Sequence, residues 1–537
     1  MDHHKSKCKP RGERHVALVS NPPPLTSTND VLNEDVLLMI ASYLAAPDIR
    51  SLSATSRQLS YVARPRVLAK LEIKRFHEFD KAYELYMSDG ARRLEYLREL
   101  KMWLGDRFVK RIAVSFADLL EKAPNLQYIV LNNAETWLWV SPRIGMAIQN
   151  LDNIQDLSLY QVGKRTLHVL RCMRSRPSRQ YIVDQRRPIT WTESDWTPDY
   201  EEVMKADWKL PRYDLDSDSR SLENPPVTFQ AILDSLSPHQ STSTFYITIT
   251  RELPAAPDPI TVPQWPHARH LEVSFGKNRA SSLISLVHAF PNLRTLRITG
   301  PKDGAGLLNV NDVCWPHLDY VYLWFPTMGY WGITCPVHHL RLWHIRDEDI
   351  LGYRPYIAKD SVATLASLRR MSPVILTLEG WVAYLYFGTD STHWKALVDV
   401  APRLRVLAID FEYLKSRDYD DWTVQVPRAL MRSNIVCLLL YQSGRTGSFW
   451  KPLVGVLPSL RYLATTEGET NEYQWHGEDR ETPGRFDKHL RWRWRRVVEV
   501  NGIRKAIPMS AEAGARIASY LYSPECDYKL DFDGEHP

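Results

Sequence analysis

A-P-N-L-Q-Y-I-V-L at residues 123–131 decides the reading of this chain. Its apolar residues Leu126, Ile129 and Leu131 follow one figure: apolar, two residues, apolar, one residue, apolar. The last two stand two apart, so on a strand they share a face. The preceding proline cannot continue a helix ladder, so it marks the turn into that strand. The figure returns in F-P-N-L-R-T-L-R-I at 290–298 and A-P-R-L-R-V-L-A-I at 401–409. Clear copies also stand at Leu97/Leu100/Met102, Ile154/Leu157/Leu159, Leu318/Val321/Leu323 and Ile435/Leu438/Leu440. Weaker ones are Leu68/Leu71/Ile73, Ala268/Leu271/Val273, Val337/Leu340/Leu342 and Leu460/Leu463/Thr465.

Prolines 266, 291 and 316 are 25 residues apart, and Leu97, Leu126 and Ile154 are 29 and 28 apart. Those periods match a leucine-rich repeat, about 20–29 residues with one strand each. Amphipathic helices are expected between the strands. Phe108–Lys122 carries Val109, Ile112, Phe116, Leu119 and Leu120; Ser282–Phe290 carries Leu283, Leu286 and Val287; His393–Val400 carries Trp394, Leu397 and Val398. A single repeat cannot bury its apolar face, so neighbours must stack. The expected fold class is α/β, with residues 67–465 forming a curved parallel sheet with outer helices. A doubly wound enzyme would show near-continuous apolar strands and a glycine-rich turn, and neither is present. The concave strand face is the expected partner surface, with Tyr128, Tyr160, Arg297 and Tyr322 as candidate contacts.

Residues 1–28 are polar and Pro-rich, the composition of a disordered tail; their lysines and arginines also permit a nuclear signal. Residues 29–66 differ in kind. L-N-E-D-V-L-L-M-I-A-S-Y-L at 32–44 places Val36, Leu37, Ile40, Tyr43 and Leu44 at helical spacing. Asp48 is expected to cap a second helix striped by Ile49, Leu52, Thr55 and Leu59. A third is expected from Gln58 to Ala63, before Pro65. So small a core, with no disulfide or metal pattern to support it, points to completion by another protein.

This order, continued by P-D-I, a leucine and S-R, is similar to the F-box motif over most of its length. The resemblance implies a module that binds a Skp-type adaptor, and through it a cullin and a RING subunit. It assigns adaptor contacts to Leu32, Val36, Leu37, Ile40, Leu44, Ile49 and Leu52, and matches Asp48, Ser56 and Arg57 to polar positions. Asn33 stands where that family usually has proline, which leaves the backbone before the first helix less fixed. Six or seven buried aliphatic side chains would contribute roughly 10–20 kcal/mol, against an association cost of about 4–15 kcal/mol. An F-box followed by such repeats resembles the large F-box families of fungi. It implies a substrate receptor of an SCF-type ubiquitin ligase that holds a protein target for ubiquitination and proteasomal degradation.

Two stretches break the period. Residues 185–227 are acidic and hold Trp191, Trp196 and Trp208; they are expected to contact substrate, to fold over the strand face, or to be disordered. Residues 466–537 begin polar, then alternate in Arg491-Trp492-Arg493-Trp494-Arg495-Arg496, expected to form a strand with one aromatic face that caps the last repeat. Ser510–Tyr522 is expected to be a closing helix.

The chain has 537 residues and a formal net charge of +5, too modest to argue for nucleic acid or membrane by itself. No run reaches the roughly 18 apolar residues of a spanning helix. Six scattered cysteines suggest a reducing compartment, cytoplasm or nucleus. No P-loop, GxSxG, HExxH or kinase signature is present, so no cofactor and no catalysis of its own are expected. Cys335 and His338 have metal-like spacing, yet Cys335 stands where Phe290 and Trp315 stand in other repeats, a packing position. Two rivals remain open: a scaffold whose F-box serves a complex outside ubiquitination, and a nucleic-acid-binding solenoid using the Arg/Trp segment through stacking and phosphate contacts.

Overall fold

The computed structural model describes residues 33–104, 106–183, 229–249, 263–275, 283–299, 314–325, 328–344, 361–380, 382, 383, 387, 391–410, 416–441, 450–467 and 491–523. The expected tail, Leu32, the acidic insertion and the polar stretch 468–490 lie outside them. The chain divides into two compact units, Met1–Val67 and Leu68–Pro537.

The first unit has helices α1 (Glu34–Tyr43), α2 (Ala46–Ser53) and α3 (Arg57–Val67). Leu37, Ala41, Ile49, Val62 and Ala63 form its core, flanked by half-buried Leu44, Leu52, Leu59 and Val67. Three local expectations change. Asp48 is not a cap: α2 begins after Ala45 without a side-chain cap, and Asp48 sits inside its first turn, where the helix dipole favours a carboxylate. α2 also stops at Ser53, so Thr55 and Leu59 lie off its stripe, with Leu59 in α3. And Pro65 lies inside α3, near its end, where fewer following residues depend on the ladder. The cap of α3 is Ser56, whose Oγ accepts from Leu59 N–H at 3.1 Å.

The second unit is built on a sheet of sixteen strands in chain order among the described residues. They are β1 (Lys70–Ile73), β2 (Glu99–Met102), β3 (Tyr128–Leu131), β4 (Asp156–Tyr160), β5 (Arg179–Val183), β6 (Thr244–Ile249), β7 (His270–Phe275) and β8 (Thr295–Thr299). There follow β9 (Leu318–Trp324), β10 (Val337–His344), β11 (Ile375–Gly380), β12 (Val406–Asp410), β13 (Cys437–Tyr441), β14 (Tyr462–Glu467), β15 (Arg491–Val500) and β16 (Ile503–Pro508). Neighbours from β1 to β14 pair in parallel, whereas β15 and β16 are antiparallel. The fold is thus α/β with a long, mostly parallel sheet.

The recurring figure explains this order. In every copy the leading apolar residue is buried, and the two strand residues after it, Thr465 apart, point into one continuous core with the helices. Leu126, Ile129 and Leu131, each at most 1% exposed, meet Phe116, Leu119 and Leu120 of helix Asp106–Glu121 there. Each fully buried aliphatic contributes about 1.5–3 kcal/mol, so three per strand hold a repeat that could not stand alone. From β2 to β8 and from β12 to β14, the residue before each strand donates its N–H to its counterpart one repeat earlier, as Gln127 does to Arg98 O at 2.8 Å and Arg294 to Arg269 O at 2.9 Å. Backbone groups in the turns are thereby satisfied by the neighbouring repeat.

β15 and β16 join through Asn501 and Gly502, both at positive φ (54° and 74°). This is the two-residue turn that suits Asn-Gly between antiparallel strands.

Candidate partner-binding surfaces

In the first unit, Asn33 caps α1: its Oδ1 accepts from Asp35 N–H at 3.2 Å. The position that lacks the expected proline thus has its own device for fixing the start of the helix. α1 is apolar nearly all round, and its two faces separate. Leu37, Ala41 and Leu44 turn inward. Val36, Met39, Ile40 and Tyr43 turn outward, at 40%, 61%, 42% and 84% exposure, with Leu38 (42%) and Tyr61 (61%) near them in exposure. Of the candidate adaptor contacts, Val36 and Ile40 are open. Leu37 and Ile49 belong to the unit's own core, and Leu44 and Leu52 are half-buried. Asp48, Ser56 and Arg57 are exposed. The sequence reading missed Met39, whose exposure follows from standing three residues after Val36 on the same helix face.

In the second unit the candidate surface is the sheet face turned away from the helices. Register makes it a set of rows. One row runs Glu72, Lys101, Val130, Ser158, Tyr181, Tyr246, Glu272, Arg297, Tyr322, Arg341, Thr377, Ala408, Leu439, Ala464 and Trp494. Its chemistry changes along the sheet.

At β1 and β2 the row is ionic. Lys101 Nζ lies 3.1 Å from Glu99 and 5.2 Å from the Tyr128 ring centre. Burial works against the Lys101 charge, but Glu99, Tyr128 and Glu72 outweigh it and hold its pKa above the ordinary value. Next comes a stack of tilted aromatic rings: Trp103 on Tyr160 at 5.6 Å, Tyr160 on Tyr181 at 5.3 Å, and Tyr181 on Tyr246 at 5.4 Å. Tyr128 and Tyr160, both half-buried, therefore lie on this face.

Further along, Arg297 pairs with Glu272 at 3.4 Å, and Arg341 pairs with Glu379. Between them Tyr322 receives the Arg297 guanidinium 4.8 Å and the Arg341 guanidinium 5.5 Å from its ring centre, and lies parallel to Trp343 at 5.7 Å. Tyr322 is only 5% exposed, and burial pushes its phenol well above the usual range. Arg297 is likewise engaged on both sides. These two candidate contacts form a closed ionic and aromatic ladder rather than a free recognition surface. Burial also opposes the Arg341 charge, but Glu379, Tyr320 and Tyr322 more than offset it.

From β11 onward the rows through Ile375 and Thr377 turn largely apolar and are covered, while Glu379 and Asp410 keep the next row polar. Helix Ala511–Leu521 lies over it, with Ile517, Ala518 and Leu521 packed in one cluster with Ile375, Val406, Ala408, Cys437, Leu439, Tyr462, Ala464 and Trp494. His339 is caught between Tyr320 (4.9 Å) and Tyr522 (5.0 Å), both edge-on, with Nε2 at 3.0 Å from Thr377 Oγ1. Burial, then Arg341 and His338, hold its pKa well below the ordinary value. The expected closing helix therefore covers the strand face, and partner access over β11–β15 is not open in this arrangement. The Arg/Trp segment is strand β15, paired along the edge of β14. Trp494 is buried under the helix and Trp492 meets Tyr441 edge-on at 4.8 Å. Trp494 thus has no face open to a nucleic-acid base.

Among the described residues no group of three or more His, Cys, Asp or Glu is placed to hold a metal ion, and no helix is long and apolar enough to cross a membrane. Cys335 lies in the core with Phe290 and Trp315, and burial pushes its thiol up to about 12.

No family model matches this chain, and no curated protein matches it. Among solved structures it is similar to one titled as the crystal structure of a TLR13–ssRNA13 complex, at 12% identity and a TM-score of 0.24. The match covers 69% of this chain and 54% of that one, so the chain spans about half the length of the structure it matches, a likeness too slight to bear on fold or function.

Proposed function

We propose that the chain is the non-catalytic substrate-recognition subunit of an SCF-type ubiquitin ligase, with an F-box in its first unit and a leucine-rich-repeat solenoid in its second. The observation that carries this is the outer face of α1. A unit with five buried core side chains leaves Val36, Met39, Ile40 and Tyr43 in water. A large apolar patch on so small a unit marks a protein-interaction surface, and the L-x-E-D-V-L-L pattern names a Skp-type adaptor as the protein that covers it. The sheet unit would hold the target, and raised local concentration of its lysines near the ubiquitin-carrying enzyme would accelerate transfer.

The test is co-purification. The wild-type chain should recover a Skp-type adaptor together with a cullin, and Ile40→Asp should lose both while the sheet unit stays folded. Ile40 suits this because it is exposed; Leu37→Asp would place a charge in the unit's own core and lose binding through unfolding. Adaptor without cullin would favour a scaffold role outside ubiquitination. Undiminished adaptor recovery with Ile40→Asp and Val36→Asp combined would overturn the assignment.

A further inference from the structure

We propose that the apolar part of the open sheet face, over β11 to β15, is a docking surface for one amphipathic helix. Helix Ala511–Leu521 is its resident occupant, exchangeable for a partner-protein helix with the same pattern of small and large residues. This goes beyond the ubiquitin-ligase reading and does not depend on it.

The face itself is the first argument. Up to β10 its central row is charged or aromatic except at Val130 and Ser158; at β11 it changes to Thr377, Ala408, Leu439 and Ala464. The row beside it changes at the same strand, from His339 to Ile375, Val406, Cys437 and Tyr462. A largely apolar floor bordered by polar rows, with the small residues Thr377, Ala408, Cys437 and Ala464 in it, leaves room for a helix to come close.

The occupant shows which helix. Gly514, Ile517, Ala518 and Leu521 are its buried positions, at i, i+3, i+4 and i+7, the anchor spacing of a helix laid on a groove. Glu512, Ala515, Arg516 and Ser519 face water. Gly514 is required by contact: a Cβ there would stand 2.2 Å from Trp494 ring atoms. A replacement helix therefore needs glycine at the first position, a small residue at the fifth, and branched aliphatics at the fourth and eighth.

The attachment makes exchange possible. The helix follows β16, which among the described residues is the last strand and pairs only with β15. Lifting the helix breaks no strand pairing among β1 to β15, so it can open as a local unit well below the cost of unfolding the sheet.

Two buried thiols report this directly. Cys437 lies on β13 beneath the helix, whereas Cys335 lies in the core between sheet and helices. Iodoacetamide alkylation of the full-length chain, followed by peptide mass spectrometry, gives a rate for each, normalised to its rate in the unfolded chain. The expected result is Cys437 at least about tenfold faster than Cys335. Gly514→Val, and independently Leu521→Ala, should accelerate Cys437 severalfold further and leave Cys335 unchanged. A fluorescein-labelled synthetic peptide of residues 509–523 should bind the Gly514→Val chain at least about tenfold tighter than wild type, because the resident helix no longer competes. Cys437 and Cys335 reacting at one common rate, only as denaturant melts the sheet, would overturn the proposal. So would equal peptide binding by wild type and a variant whose circular dichroism shows an intact sheet.

Discussion

Gln180 Nε2 donates to Thr242 Oγ1 at 3.1 Å in the interior, tying β5 to the turn before β6 across 62 positions of chain. Thr242 Oγ1 in turn donates to Pro177 O at 2.7 Å. Gln180 stands in register with Leu157 and Phe245, in a row otherwise apolar from β1 to β14, and its Oε1 has no partner.

A buried amide with one unsatisfied oxygen costs more than it returns. Gln180→Leu should therefore raise stability by about 1 kcal/mol, since Thr242 keeps its bond to Pro177. A higher urea midpoint at unchanged m-value is the readout. A loss of that size instead would mean that the amide fixes β5 against β6.

Glu379 compensates Arg341 on a face that leaves their side chains 14% and 28% exposed. Removing the carboxylate alone, in Glu379→Ala, should cost about 2–3 kcal/mol, at or below the roughly 3–5 kcal/mol of a fully buried pair because Arg341 retains some solvent. The double variant Arg341→Met with Glu379→Leu should return close to wild type. A double variant as unstable as the single one would contradict this account.

Histidines 239, 270 and 339 all have pKa values lowered chiefly by burial. Below about 6.5 the unfolded chain takes up protons that the folded chain refuses, so their contribution is complete above that pH and is lost as pH falls toward 5. Each contributes a slope of up to about 1.4 kcal/mol per pH unit. His339→Gln should shallow the fall between pH 7 and 5.5 in urea titrations by up to that amount. An unchanged slope would show that His339 is not held neutral.

Glu135 caps a helix that is not its own. Its carboxylate accepts from Arg165 N–H at 3.1 Å, Thr166 N–H at 3.0 Å and Thr166 Oγ1 at 2.9 Å. Helix Lys164–Cys172 otherwise starts at Gly163 with no side-chain cap. Glu135→Ala should cost about 1–2 kcal/mol by thermal or urea melting. Gly163→Ala should cost a similar amount, because its Cβ would stand 2.4 Å from the Glu135 side chain. Glu135→Ala melting like wild type would remove the carboxylate from the cap.

Strands β5, β6 and β11 escaped the sequence reading for one reason. The residue three before the first inward one is Pro177, Thr242 or Pro373 where the other repeats have leucine, isoleucine, valine or alanine, and at β5 the inward residue itself is Gln180. The backbone ladder to neighbouring repeats holds these strands regardless. The β15–β16 hairpin is legible in Asn501-Gly502, the two-residue signal of an antiparallel turn.

Outside β5, β6, β11 and β16, the sequence by itself determined where strands form and which side chains they bury, because the spacing of apolar residues fixes both through strand geometry. It also located the short helices of the first unit. Only tertiary structure decided which apolar side of α1 faces inward, Leu37 and Ala41 rather than Val36 and Ile40, since a helix apolar all round carries no sign of its own orientation. It alone decided, too, that Gly514 meets Trp494 and that helix Ala511–Leu521 lies on the strand face. That contact joins residues from separate elements, and no period along the chain encodes it.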